Sequence, residues 1–293
     1  EVAHPNHRGF FSSFQYVTII GGQLTAIIVL LILQHLLLTT DELKEWGWRV
    51  PFFIGGALAI VTALMQKYLH ETDQFVAAKK SAEGAGKALG GLRQLLKYPK
   101  EIAIVVGLTM GGTTAFYTYT TYMQKYLKLS VGLTEEQTTT VTAASLVFAL
   151  LLQPAYGALS DKIGRRPLLI FFGVAGTLFT IPILTTLQHA QGPWEAFFLI
   201  AAAWVIVSGY TSINAVVKAE LFPTAVRAIG VGLPYAITVA VFGGSSESLA
   251  LYFKTQGHET WFYYYLTAII GTSLLVYVFM RDTRSDSAMN RHE

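Results

Sequence analysis

The chain has 293 residues, 53% of them hydrophobic and only 13% charged, with a formal net charge of +3 and no cysteine. Soluble domains carry about 25% charged residues, so this composition excludes an ordinary soluble globular protein and points to a bilayer. The small net charge, with no contiguous basic stripe, argues against a nucleic-acid partner. Without cysteine there is no disulfide framework and no thiolate metal site.

A membrane helix needs roughly 20 mostly apolar residues. Eight runs meet that need, at 12–38, 48–69, 101–127, 137–159, 167–188, 194–217, 229–253 and 261–280. The first carries Gln15 and Gln23 on one face with Tyr16 beside it. Two amides in hydrocarbon need partners, from a substrate or from a neighbouring helix. The second opens on Trp46-Gly47-Trp48-Arg49-Val50-Pro51. Arg49 reads either as an interfacial anchor or as a carboxylate-binding cation, because a planar guanidinium suits bidentate recognition. Residues 70–100 are basic, rich in Gly and Ala and weakly helical; they read as a central loop between two halves.

The third run has a polar stripe at helical spacing: Thr113, Tyr117, Thr120, Thr121 and Gln124, with Lys125 near its end. Lipid gains nothing from hydroxyls, so this face is expected to look into a cavity. Tyr117, Thr121 and Gln124 are substrate-binding candidates, with helix–helix hydrogen bonding as the alternative. Between the fourth and fifth runs stands Gly157-Ala-Leu-Ser-Asp161-Lys162-Ile-Gly164-Arg165-Arg166-Pro167. Gly157 permits close helix approach. Asp161 can accept from a helix N-terminus or from an arginine, and Arg165 and Arg166 are expected at the membrane surface. The pattern suggests a charge latch between helix ends; ordinary positive anchors are the alternative.

In the sixth run Tyr210, Asn214 and Lys218 fall four apart on one face. The first two are cavity candidates, and Lys218 is expected to snorkel outward as an anchor. The seventh holds Tyr235, another cavity candidate, and Glu247. A carboxylate inside a span is costly, which makes Glu247 a proton-coupling candidate; a structural hydrogen bond or a place near the outer interface is the alternative. Pro154, Pro182 and Pro234 are expected inside helices. The seven histidines fall in or near loops and read as solvated. No metal-ligand spacing or nucleophile motif is visible, so no cofactor, metal or enzymatic chemistry is expected.

Eight spans place the first approach to the membrane, the central loop and the C-terminus on one side. That side collects 16 of the 21 Lys and Arg and is therefore expected to be cytoplasmic. A repeat is also legible. Glu1 precedes Arg8 by seven positions, with Pro5 between and Gly9 after. Glu220 precedes Arg227 by seven, with Pro223 between and Gly230 after. Each segment leads into a span containing a glycine pair, Gly21-Gly22 or Gly243-Gly244, and Glu220 and Arg227 are expected to join a charge network. If transporter halves repeat, residues 1–70 are the last two helices of a first half, 71–100 the central loop and 101–293 a complete second half. Four helices would then be missing before Glu1, an expectation that fits a chain not beginning with Met.

GALSDKIGRR and ELFPTAVRAIG resemble the loop signatures of the major facilitator superfamily. FFSSFQYVTIIGGQ, EWGWRVPFFIGG, FYTYTTYMQKYL and FGGSSE are similar to its metabolite–proton symporter branch, and the likeness runs along almost the whole chain. The resemblance implies an all-α, twelve-helix secondary transporter with eight helices present here. It implies a monomer in the bacterial inner membrane, C-terminus cytoplasmic, importing a dicarboxylate such as α-ketoglutarate with protons by alternating access. It also implies that an acidic first helix is absent. Gly157, Asp161, Lys162, Gly164, Arg165, Arg166, Glu220 and Arg227 would form the gating motifs. A proton symporter for shikimate, citrate, proline or betaine is the alternative, as is a non-transporting membrane sensor. A sensor would bring a sizeable soluble domain, which an insert of about 30 residues does not supply.

Overall fold

A computed structural model describes residues 3–68, 76, 80 and 91–290. Most of the expected central loop, with Lys79 and Lys87, lies outside the described residues, as do Glu1, His70, Arg291 and His292.

Among the described residues there are eight helices long and apolar enough to cross a membrane, and no strand. They are α1 (Pro5–Ile32), α2 (Gly47–Gln66), α3 (Pro99–Val131), α4 (Glu135–Ile163), α5 (Arg166–Gln188), α6 (Pro193–Leu221), α7 (Thr224–Thr255) and α8 (Glu259–Phe279). Each answers to one apolar run, but several ends move outward for local reasons. α1 starts earlier than its run because a 3₁₀ turn, Pro5–His7, leads in, Arg8 is buried and Gly9 packs against α4. α3 runs on through two π turns until Gly132 adopts φ +81°, a left-handed conformation that ends helices. α7 starts at once after Pro223, whose extended backbone stands as its N-cap. α4 opens with a reciprocal capping box between Thr134 and Gln137. Pro154, Pro182 and Pro234 all lie inside helices, as expected.

The helices pack in pairs: α1 on α4, α8 on α5 and α3, α6 on α4 and α5, and α3 on α7. Small residues let the backbones close up. A Cβ at Gly157 would stand 2.6 Å from the Gly9 carbonyl oxygen, and one at Gly9 would stand 2.6 Å from that of Gly157. Hydroxyls join other pairs. The Gly111 amide donates to Ser273 Oγ at 2.9 Å, Ser273 Oγ to the Gly107 carbonyl at 2.6 Å, and Tyr277 to the Leu108 carbonyl at 2.9 Å. Such bonds drive association where lipid offers no hydrophobic incentive. α2 has no buried residue over Val50–Gln66 and stands at the margin of the bundle.

Candidate functional site

Two polar constellations organise the bundle. The first is at the end where α1 begins, α4 meets α5, α6 meets α7, and α8 gives way to the tail. Asp161, last-turn on α4, accepts the Gly9 and Phe10 amides, both at 2.8 Å. These are orphan donors of the first turn of α1, where the helix dipole favours negative charge. Arg165 Nη1 donates to Asp161 at 2.9 Å and to Ser160 at 3.0 Å, and its Nη2 reaches Glu220 on α6 at 3.4 Å. Thr283, beyond α8, donates to the other Glu220 oxygen at 2.6 Å. Asp161, Arg165 and Glu220 are all buried. Arg165 therefore does not lie at the surface as its sequence suggests. It is drawn inward because two carboxylates converge on it, whereas Arg166 stays half-exposed and donates to the Tyr277 and Val278 carbonyls.

The turn that delivers Arg165 is held by Gly164, at φ +96°. A side chain there would also collide with Asp282. Asp282 in turn accepts the Arg165 and Arg166 amides, both at 3.2 Å, and so caps α5. Lys162 points outward; its carbonyl accepts from Arg284 at 2.7 Å. Arg227 is buried and donates through Nε to the Phe222 carbonyl at 3.1 Å. The sequence flagged neither Asp282 nor Thr283; their signal was polar side chains immediately after an apolar run. A cavity of about 610 Å³ opens at this end, lined among others by Lys100, Glu101, Glu220, Arg281 and Thr283.

The second constellation lies deeper, where α1, α3, α6 and α7 meet. Tyr16, Tyr210, Asn214 and Lys218 are buried, while Tyr117 and Tyr235 are partly so. The Tyr16 hydroxyl faces Tyr235 and Asn214, with Tyr117 close by. Tyr210 fits because Gly112 on α3 leaves space for its ring. Asn214 Nδ2 donates to the Thr211 carbonyl at 2.9 Å, but its Oδ1 and the Tyr210 hydroxyl are buried without a hydrogen-bond partner. The Lys218 amine lies 3.4 Å from the centre of the Tyr235 ring, with 1% of the residue exposed.

This overturns the expectation of a snorkelling anchor. Tyr235 is the twelfth residue of α7, roughly 16 Å from the start of that helix at 1.5 Å per residue. The amine thus points into the bundle, away from the nearer end. A desolvated cation–π contact contributes about 2 kcal/mol. Withdrawing an ammonium from water costs several kcal/mol, so the ring offsets only part of the burial.

The structure brings Tyr16, Tyr117, Tyr210, Asn214 and Tyr235 together and leaves the other binding candidates apart. Gln15 faces outward, because the packed stripe of α1 is Gly9, Ser13, Tyr16, Ile20 and Leu24. Thr121 and Gln124 are exposed on α3, beyond Tyr117 toward the opposite end of the bundle. Arg49 is exposed at the start of α2, its guanidinium 4.7 Å from the Trp48 ring centre and donating to the Glu45 carbonyl at 3.1 Å. Glu247 is ion-paired with Lys125 on α3, in the first turn of the last segment of α7. Nearby, Glu259 receives Tyr122, Ser130 and Lys254. His4, His7, His189 and His258 are exposed, as expected.

Eight apolar helices around polar contacts at their centre define a multi-pass helical membrane protein. The Sugar (and other) transporter family matches residues 1–292, and the chain belongs to it. That family comprises transporters, not enzymes. The chain is 45% identical over 276 residues to the alpha-ketoglutarate permease of Escherichia coli (strain K12), covering 94% of this chain and 62% of the permease. It is 27% identical to the citrate-proton symporter of Salmonella typhi (85% of this chain, 56% of the relative). It is equally 27% identical to the proline/betaine transporter of E. coli (strain K12) (97% and 58%). The chain thus spans less than two thirds of the length of each.

Proposed function

We propose that the chain is part of a secondary transporter that imports a dicarboxylate, α-ketoglutarate in the first instance, together with protons by alternating access. The observation that carries this reading is the 45% identity to an alpha-ketoglutarate permease along almost the whole chain. The donor-rich cluster of Tyr16, Tyr117, Tyr210, Asn214 and Tyr235 supports it, because a carboxylate only accepts hydrogen bonds and tyrosine hydroxyls can supply them. On this reading residues 1–70 belong to a first half of the transporter and residues 101–293 form the second, and the unit is a monomer.

The end bearing Asp161, Arg165 and Glu220 is the cytoplasmic one, by the 16-to-5 distribution of Lys and Arg. The ion-paired latch ties α1 to α4, α6 and the tail at that side. Thr121 and Gln124 lie exposed toward the other side. Glu247 remains the proton-coupling candidate, since protonation would release Lys125.

The test is uptake of labelled α-ketoglutarate into proteoliposomes by protein expressed from the complete gene, with and without an inward-directed proton gradient. Uptake should rise several-fold with the gradient, and succinate should compete. Uptake indifferent to the gradient removes the proton coupling. Stronger competition by shikimate or betaine than by succinate removes the substrate class.

A further inference from the structure

We infer that Lys218 is the cation that receives a substrate carboxylate, and that the Tyr235 ring covers its amine until the anion arrives. The inference rests on the transport reading above and gives that site its charged group.

The geometry singles out Lys218. Its amine is turned toward the middle of α7, against the ordinary tendency of a lysine near a helix end. Among the described residues no carboxylate lies within 4.0 Å of it. Glu220, two residues along, is engaged by Arg165 and Thr283. An intramembrane cation without an anionic partner is a functional group by default, and here the one contact shown for it is the face of an aromatic ring.

The surroundings suit a carboxylate. A carboxylate offers acceptors only; the Lys218 amine brings N–H donors over the Tyr235 ring, and the Tyr210 hydroxyl is buried without a hydrogen-bond partner. Tyr16 and Asn214 line the same space, and Asn214 and Tyr210 stand one and two turns before Lys218 on α6. Tyr235 is only partly buried, with Tyr117 beside it. Displacing that ring exchanges a cation–π contact for an ion pair without dismantling the fold. Arg49 has no comparable position; it lies exposed on Trp48.

The experiment uses protein from the complete gene, purified and assayed for binding of labelled α-ketoglutarate, with glutarate and its monomethyl ester as competitors. Lys218→Gln should weaken binding at least thirtyfold and remove most of the preference for glutarate over the ester. Lys218→Arg should stay within about fivefold of the parent. Binding and preference unchanged in Lys218→Gln would overturn the assignment while leaving the transport reading intact. Failure of the parent protein to bind any dicarboxylate would remove the transport reading and this assignment with it.

Should Lys218→Gln not fold, the parent protein supplies the test. Saturating α-ketoglutarate should slow acylation of Lys218 by an amine-reactive reagent at least fivefold, read by mass spectrometry of the peptide. Equal labelling with and without ligand would overturn the proposal.

Discussion

Asp161 on α4 accepts the Gly9 amide at 2.8 Å through Oδ1 and so closes the first turn of α1, while the same oxygen holds the buried Arg165. One carboxylate thus serves as helix cap and ion-pair partner at once. Asp161→Asn keeps an acceptor oxygen but leaves Arg165 short of a charge. Breaking a buried pair costs roughly 3–5 kcal/mol, so the α1–α4 contact should open more often. The chain has no cysteine, which makes a reporter simple to place. Ser13→Cys, buried between the two helices, should react with a membrane-permeant thiol reagent at least about tenfold faster when Asp161→Asn is added, an effect of about 1.4 kcal/mol. Equal rates would show that the carboxylate does not hold the contact shut.

The α1–α4 crossing also depends on the absence of a side chain at Gly157, where a Cβ would meet the Gly9 carbonyl at 2.6 Å and Ser13 Cβ at 2.8 Å. Gly157→Ala should therefore destabilise the protein by about 1–3 kcal/mol through overpacking. Gly22→Ala, on the same pair of helices but with nothing within 4 Å of the added methyl, is the matched control. Thermal unfolding in detergent should show a lowered midpoint for the first and little change for the second. Equal midpoints would mean that the helices slide apart freely at this crossing.

These two residues also show what a sequence discloses. The apolar runs located all eight helices, because length and hydropathy are local properties. Asp161 and Arg165 could be read as a latch because opposite charges stand close together between the fourth and fifth apolar runs. Their partners Gly9 and Thr283 lie elsewhere in the chain and no local pattern names them, whereas Glu220 is legible as a charge-network member but not as the partner of Arg165. Gln15 shows the same boundary. The periodicity puts it on one face with Gln23, yet Gln15 is exposed and Gln23 partly buried, and which face meets α4 is decided by Gly9, Ser13 and Tyr16. Lys218 was misread because a lysine near a helix end normally reaches for water; only the arrival of Tyr235 from α7 gives its amine a place to turn inward.

The latch should divide unequally between its members. Glu220 is buried and faces both Arg165 and Thr283. Glu220→Gln withdraws a charge from a buried arginine and should cost roughly 3–5 kcal/mol. Thr283→Ala removes one hydroxyl donor and should cost about 1–3 kcal/mol, since the carboxylate remains charged and buried. The double variant should cost less than the sum, because the Thr283 bond loses most of its value once the charge is gone. A double-mutant cycle on unfolding midpoints measures the difference. Strict additivity would show that Thr283 and Glu220 act independently.

Outside the membrane, Glu42 closes the capping box of the short helix Thr40–Glu45, accepting the Thr39 amide and hydroxyl, both at 2.8 Å. These bonds to the charged form hold its carboxyl below the usual value of 4.5. The sign follows: the cap is complete above that value and is lost as pH falls through the lowered one. The Thr39 amide resonance should therefore titrate with a midpoint below 4.5, and Thr39→Val should move the midpoint upward. A midpoint at or above 4.5 in the parent protein would mean that the box does not form in solution.

Arg49 gives the sharpest contrast with Lys218, because the sequence leaves it open as a carboxylate ligand. In the structure it is exposed, its guanidinium spread over Trp48 and bonded to the Glu45 carbonyl. That is the arrangement of an interfacial anchor, where the aromatic ring and the cation share the headgroup level. An exposed residue with such contacts should contribute within about 0.5 kcal/mol to stability. Arg49→Gln should therefore leave α-ketoglutarate affinity within about twofold of the parent, because the tyrosine cluster around Lys218 lies on other helices. Binding measured side by side in Arg49→Gln and Lys218→Gln protein decides between the two cations. A large loss confined to Arg49→Gln would mean that α2 moves its first turn into the site during transport, and the anchor role would then give way to a direct one.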